Sequence, residues 1–188
     1  IAPVRKNFSG LVPVLGDGRY EWDGYLPILE KPNAANPEKG YIATANQNVT
    51  PADYTRWDAI GYSWSDPYRG ERIDEVLGTR NDFTMNDMKA LQVDVTSLPA
   101  RTLIPLLETS SLSPSEEALK AKVMSWDFKL EPNSIAAAIY NAWEKEIIRH
   151  ASAKFIPEVA KPYLSSLQLK RILDWIETPG TMFRTITE

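Results

Sequence analysis

The sequence predicts a mainly α fold, a multi-helix domain preceded by an irregular, partly β amino-terminal segment. Three observations carry this. Apolar residues recur at three- and four-residue steps, behind capping signals, from about residue 84 to 176. Before residue 67 no helical period exists, and Pro, Tyr, Trp and most of the glycines crowd together. The chain has 188 residues with 43% hydrophobic and 24% charged content, enough for a real core in one compact unit. The expected division is residues 1–67 for the irregular segment and 68–188 for the helical part, one compact unit overall.

Taken in order, Gly16-Asp17-Gly18 marks a turn, and Tyr20, Trp22 and Leu26 alternate with polar residues as in a half-buried strand. Lys31-Pro32-Asn33 and Asn36-Pro37-Glu38-Lys39-Gly40 are further turns. Tyr41-Ile42-Ala43-Thr44-Ala45 is read as a short strand ended by Asn46. So much irregular chain is expected to be functional or to cover a neighbour. An aromatic loop leads to Tyr68-Arg69-Gly70-Glu71-Arg72-Ile73, the start of a helix. Thr84 can cap the next helix, with Met88, Leu91, Val95 and Leu98 on its apolar side and Asp87 favouring its start. Pro99 suits a first helical position, and Pro105 should kink the helix through Leu103, Leu106 and Leu107. Ser113-Pro114-Ser115-Glu116 has the form of a capping box ahead of Leu119, Val123 and Trp126. Asn133 or Ser134 starts a helix with Ile135, Ile139, Trp143 and Ile147 on one face and small alanines beside them. A last helix begins near Ser165, with Leu169, Ile172, Leu173 and Ile176 in phase.

Composition excludes several functions. The net charge is −4, which gives no basic footprint for nucleic acid. No apolar run approaches the roughly 18 residues of a membrane span. Without cysteine there is neither a disulfide nor a thiolate site. The single histidine, His150, falls at a helix end as a partner for the dipole, and no G-x-S-x-G elbow or phosphate-binding glycine loop occurs. Asn48-Val49-Thr50 has the form of a glycosylation sequon, followed by proline.

Three residues and one aromatic cluster are candidates for a site, each with a plainer alternative. Asn46 is a turn asparagine that tolerates left-handed backbone, or an oxyanion donor whose fixed amide can be worth roughly 3 kcal/mol of barrier. Arg72 is a salt-bridge arginine among Glu71, Asp74 and Glu75, or faces the same site as Asn46. Asp58 is a loop aspartate or an oxygen ligand for calcium. The aromatic cluster of residues 54–68 is packing or a ligand cage.

GLVPVLGDGRYEWDGYLP, NPEKGYIATAN and PYRGERI resemble the β-chain of the penicillin acylase (penicillin amidase) family, which includes acyl-homoserine-lactone and cephalosporin acylases. The likeness continues more weakly through DMKALQVDVTSLPARTLIPLL, Ser125-Trp126-Asp127 and AAAIYNAWEKEI. The resemblance implies an N-terminal nucleophile hydrolase of the αββα type, in which a serine freed by precursor cleavage attacks an amide and its own α-amino group is the base. Such chemistry needs no histidine. By the family's motif Asn46 matches the asparagine that binds the oxyanion and Arg72 the active-site arginine. Asp58 matches an aspartate ligand of a structural calcium, and Gly10 falls where a carbonyl ligand is expected.

Ile1 cannot be that nucleophile. The expectation is therefore an internal piece of the β-chain, the helical insert region, inactive alone and binding no calcium alone. Its implied partners are the missing α-chain, the remainder of the β-chain and, in the parent, a small acyl-amide substrate; calcium is a possible cofactor of the parent only. The resemblance also implies a periplasmic or extracellular parent. The competing reading is a stand-alone helical protein-interaction module.

Overall fold

The computed structural model describes residues 1–61 and 63–179, and of Asp58 the backbone only. Its elements are mainly helical, and the chain divides into two compact units, Ile1–Gly70 and a second that begins at Glu71.

In the first unit, strand β1 (Pro3–Arg5) pairs antiparallel with β2 (Trp22–Tyr25), with Pro3 opposite Tyr25 and Arg5 opposite Trp22. Flanking bonds from Leu26 N–H to Ala2 O (2.9 Å) and Lys6 N–H to Glu21 O (3.2 Å) extend the ladder. The strand expected around Tyr20–Leu26 is thus present, but its residues do not alternate in burial: β2 is exposed throughout and only Leu26 beyond it is buried. Gly24, at φ 79° inside β2, and the irregular register break the two-residue period. A small core forms from Ala2, Leu26 and Ala59, with Val4 and Ile60 against it; Ala59 and Ile60 belong to the short helix α1 (Trp57–Ile60).

The strand expected at Tyr41–Ala45 is not formed. Left-handed residues stand at both its ends, Gly40 at φ 77° and Asn46 at φ 66°, and turn the chain out of a ladder. The Ala45 peptide groups bond to side chains instead of to a neighbouring strand.

Helix α2 (Tyr68–Leu77) starts where expected and carries the division between the units. The second unit then runs through α3 (Met85–Gln92), α4 (Leu98–Leu103), α5 (Pro114–Met124), α6 (Ile135–Phe155) and α7 (Leu169–Glu177). The helix starts follow their caps. Thr84 and Asp87 form a reciprocal box at α3, Glu116 accepts from the Ser113 N–H at α5 (2.9 Å), and the Ser134 hydroxyl accepts from Ala137 N–H at α6 (3.1 Å). At Pro105 the helix tightens into a 3-10 turn, Ile104–Leu107, as a proline without an N–H requires.

The structure corrects several expectations for this unit. Helix α3 ends at Gln92, so Val95 lies outside it, and α7 begins at Leu169 rather than near Ser165. The buried face of α6 is also rotated from the expected one: it centres on Ala137, Tyr140 and Ser152, while Ile135 is exposed and Ile139, Trp143 and Ile147 are half-buried. Ala137 lets the chain approach closely, and Tyr140 fills the space beside it, its ring 5.4 Å from that of buried Trp126. Leu119 is likewise exposed, although Val123 in α5 and Trp126, just past its end, are buried. The core is completed by Ala100, Leu103, Ile104, Ile156, Leu169, Ile172 and Leu173.

Candidate functional site

The site is built where the extended run after Gly40 meets the first turn of α2. Asn46 is held in the left-handed region, which an asparagine accepts more readily than most residues. Its backbone carbonyl accepts from the Ser65 N–H (3.0 Å), closing the loop between them. That bond brings the chain back just before α2, so that Arg69 reaches Asn46. One guanidinium nitrogen of Arg69, Nη2, donates to Asn46 Oδ1 (2.6 Å) and to the Ala45 carbonyl (2.8 Å).

This contact decides which way the Asn46 amide faces. A guanidinium only donates, so the oxygen of the amide must turn toward Arg69. The Nδ2 group, the donor end, is thereby directed away from it. Asn46 as a residue is exposed. A neutral N–H donor on an exposed residue, fixed by a charged neighbour, is suited to receive negative charge developing on a carbonyl oxygen.

Next to this pair lies a second one. Gln47, the residue after Asn46, is buried, and its Oε1 accepts from the Ala45 N–H (2.5 Å). Gly70, the residue after Arg69, is buried beneath the Gln47 amide.

Arg72 is engaged elsewhere. It makes a two-pronged contact with Asp94, Nε to Oδ1 at 3.1 Å and Nη2 to Oδ2 at 2.7 Å, and donates from Nη1 to Glu75 Oε2 at 3.0 Å. Glu75 also accepts from Arg101 (2.9 Å). The Arg72 hydrogen bonds hold the Asp94 carboxyl well below the usual carboxylate range, and those carboxylates push the Arg72 guanidinium further up. This is the salt-bridge arrangement read beside the functional one for Arg72. The arginine that touches Asn46 is Arg69, which sequence reasoning passed over. Its signal was modest: of the two arginines in YRGER, Arg69 is the one in the first helical turn, nearest the preceding loop.

The remaining candidates are more scattered. Gly10 takes φ 81° and packs against the Arg5 side chain. Asp58 lies within α1, its side chain outside the described residues. Among the described residues no three His, Cys, Asp or Glu side chains gather as metal ligands, so no calcium geometry is assigned to this chain. His150 is exposed near the end of α6, beside Glu146 (3.6 Å) and Arg149 (2.9 Å). No described helix is long and apolar enough to cross a membrane.

The family model described as penicillin amidase matches residues 1–186. The chain belongs to the penicillin amidase family. Among its relatives, an acyl-homoserine lactone acylase QuiP of Pseudomonas fluorescens is 33% identical over 163 residues, covering 78% of this chain and 20% of that protein. The penicillin acylase 2 proenzyme of a Pseudomonas species is 33% identical over 156 residues, with 81% and 20% covered. Penicillin G acylase of Escherichia coli is 28% identical over 162 residues, with 78% and 19% covered. The solved structure of a thermostable penicillin G acylase from Alcaligenes faecalis superimposes with a TM-score of 0.64 at 22% identity, covering 86% of this chain and 31% of that one, which supports the fold. The chain spans about a fifth of the length of the curated relatives it matches.

Proposed function

We propose that this sequence is part of an acyl-amide hydrolase in which Asn46 is the oxyanion donor. The observation that carries the proposal is the Arg69–Asn46 bond, which turns the asparagine amide so that Nδ2–H is presented. The nucleophile in this reading is an N-terminal serine of the processed αββα enzyme, outside residues 1–188, and the isolated chain is inactive. The serine oxygen attacks the amide carbon while its α-amino group takes the proton. The electrons of the carbonyl move onto oxygen, where Asn46 Nδ2–H meets the growing charge. Collapse of the intermediate expels the amine, which takes up the proton, and water then releases the acyl group from the serine ester. Penicillins and acyl-homoserine lactones, named for the relatives, are the substrate classes to test first.

Arg69 is the positioning residue for Asn46. Arg72 has a supporting role, tying α2 to Asp94 and, through Glu75 on the same helix, to Arg101. The rest of the polypeptide, including the α-chain, is the partner that completes the site. Calcium bound by the whole protein, with Asp58 and the Gly10 carbonyl among its ligands, and export to the periplasm or beyond belong to the same proposal.

The test uses the full-length, processed enzyme. Asn46→Asp keeps an oxygen for Arg69 and tolerates left-handed backbone, but replaces the donor with an acceptor. We expect kcat to fall roughly 10²- to 10³-fold with KM little changed, in protein first shown to be cleaved. Normal turnover in correctly cleaved Asn46→Asp enzyme would reduce Asn46 to a turn residue.

A further inference from the structure

The geometry points to Gln47 and Gly70 as a positioning pair that sets the aim of the Asn46 amide. The inference rests on the assignment of Asn46 as oxyanion donor and adds two residues to it. The two pairs are adjacent along both segments: Asn46 with Arg69, then Gln47 with Gly70.

Gly70 is not needed for backbone conformation, because it sits in a helix with ordinary dihedrals. Its role is space. A Cβ built there would collide with the Nε2, Cδ and Oε1 atoms of Gln47, the three heavy atoms nearest to it. The absence of a side chain at residue 70 therefore lets the Gln47 amide lie flat on the start of α2. Gln47 is buried although polar, and an amide is buried favourably only when its hydrogen bonds are made. Its Oε1 holds the Ala45 N–H.

Ala45 is consequently held on both of its peptide groups. Its N–H is taken by Gln47, and its carbonyl by Arg69. The next residue is Asn46, in a left-handed conformation that the surrounding structure has to maintain. Arg69 alone fixes which end of the Asn46 amide faces outward. The grip on Ala45 fixes where that amide is. The colliding atoms belong to the end of a flexible side chain, so Gly70→Ala displaces Gln47 while leaving α2 in place.

The test compares Gly70→Ala, Gln47→Ala and the double variant with Asn46→Asp, all in the full-length processed enzyme. Hydrogen exchange of the peptide spanning residues 41–48 is followed by mass spectrometry alongside kinetics. We expect each single variant to lower kcat roughly ten- to a hundredfold with KM within about twofold, since a small misplacement of a donor costs rate rather than affinity. Exchange at residues 41–48 should accelerate in both. The double variant should be no worse than the worse single one, because both substitutions release the same contact. If both single variants keep full kcat and normal exchange while Asn46→Asp is impaired, the pair has no positioning role and the proposal falls, with the reading of Asn46 intact. Additive losses in the double variant would also overturn it. If exchange accelerates as expected while Asn46→Asp turns over normally, the pair holds Asn46 as inferred, and it is the oxyanion role that fails.

Discussion

The two units of this chain are held together by different means. The unit from Glu71 onward is stabilised by capped helices over a core that includes Leu103, Tyr140, Trp126 and Leu173. Among the described residues, the unit that ends at Gly70 has an apolar core of Ala2, Leu26 and Ala59, and leaves Leu11, Val12, Leu15, Ile28, Leu29 and Ile42 exposed. Among the described residues, every left-handed backbone position except Phe128 is in the first unit. The candidate site is there too. Helical packing gives stability cheaply, because each residue added to a helix makes its own hydrogen bond. A donor aimed at one point needs a chain that turns sharply, and sharp turns require the strained or glycine positions that helices avoid. The comparison teaches that the larger packed core and the candidate site are separated along this sequence.

The largest expected effect tests the stability side. Leu103 is buried to 1% exposure, and Leu103→Ala should lower the unfolding free energy of its unit by about 3–5 kcal/mol. Leu26→Ala, in a core with far fewer neighbours able to leave a rigid cavity, should cost nearer 2 kcal/mol. Segment-resolved hydrogen exchange under native conditions measures both. Equal costs in the two units would break the comparison.

Arg69→Ala tests the other side. The guanidinium is exposed, and its bonds go to Asn46 and Ala45. We expect roughly a hundredfold loss of kcat in the full-length enzyme, with stability changed by under about 0.5 kcal/mol, the ordinary range for surface substitutions. A stability loss as large as that of Leu26→Ala would show that Arg69 holds the unit together and does not merely orient Asn46.

The same division decided what could be read from the sequence. Helix starts were legible at Thr84, Ser113 and Ser134, because capping is local chemistry. Pro105 marked a break in its helix for the same reason, while the 3-10 form of that break is seen only in the structure. Which side of α6 is buried was not legible. Ile139, Trp143 and Ile147 carry more apolar surface than Ala137 and Tyr140, but burial is decided by what Trp126 and its neighbours leave room for. In the first unit Gly40 and Asn46 were recognisable as turn residues, yet the strand drawn between them is absent, since a five-residue β-like run needs a partner that only the fold supplies. Asn46 stood out by its motif. Arg69 and Gln47 did not, because their roles exist only once α2 and the loop meet.

Acid sharpens the comparison within the second unit. Asp94 is held low chiefly by its hydrogen bonds to Arg72, and Glu75 by those to Arg101 and then Arg72. A carboxyl lowered in the folded state stabilises above its unfolded value, near 4, and that contribution is lost as pH falls below it toward the folded value. Chemical denaturation of the chain should therefore show falling stability as pH drops below about 4. Asp94→Asn should flatten that limb and cost up to about 1 kcal/mol at neutral pH, a figure already reduced for solvent screening. An unchanged acid limb in Asp94→Asn would mean that the Arg72 network does not bind the second unit together.

The smallest expected effect concerns α3, which among the described residues has no buried residue. Its hold on the structure is at its start. The Thr84 hydroxyl accepts from Asp87 N–H (3.3 Å), the Asp87 carboxylate accepts from Thr84 N–H (2.7 Å), and Arg80 pairs with Asp87 (2.6 Å). Thr84→Ala removes the hydroxyl and leaves the carboxylate, so the loss should be about 1 kcal/mol. Because α3 adds nothing to the buried core, this loss should appear as fraying confined to residues 85–92, with exchange elsewhere in the unit unaltered. Ser113→Ala offers the contrast: α5 buries Val123, so packing retains the helix when its cap is weakened, and local exchange should change less. If Thr84→Ala instead loosens α4 and α6 as well, α3 is part of the cooperative core despite its exposure, and stability in this unit is spread more widely than its buried residues suggest.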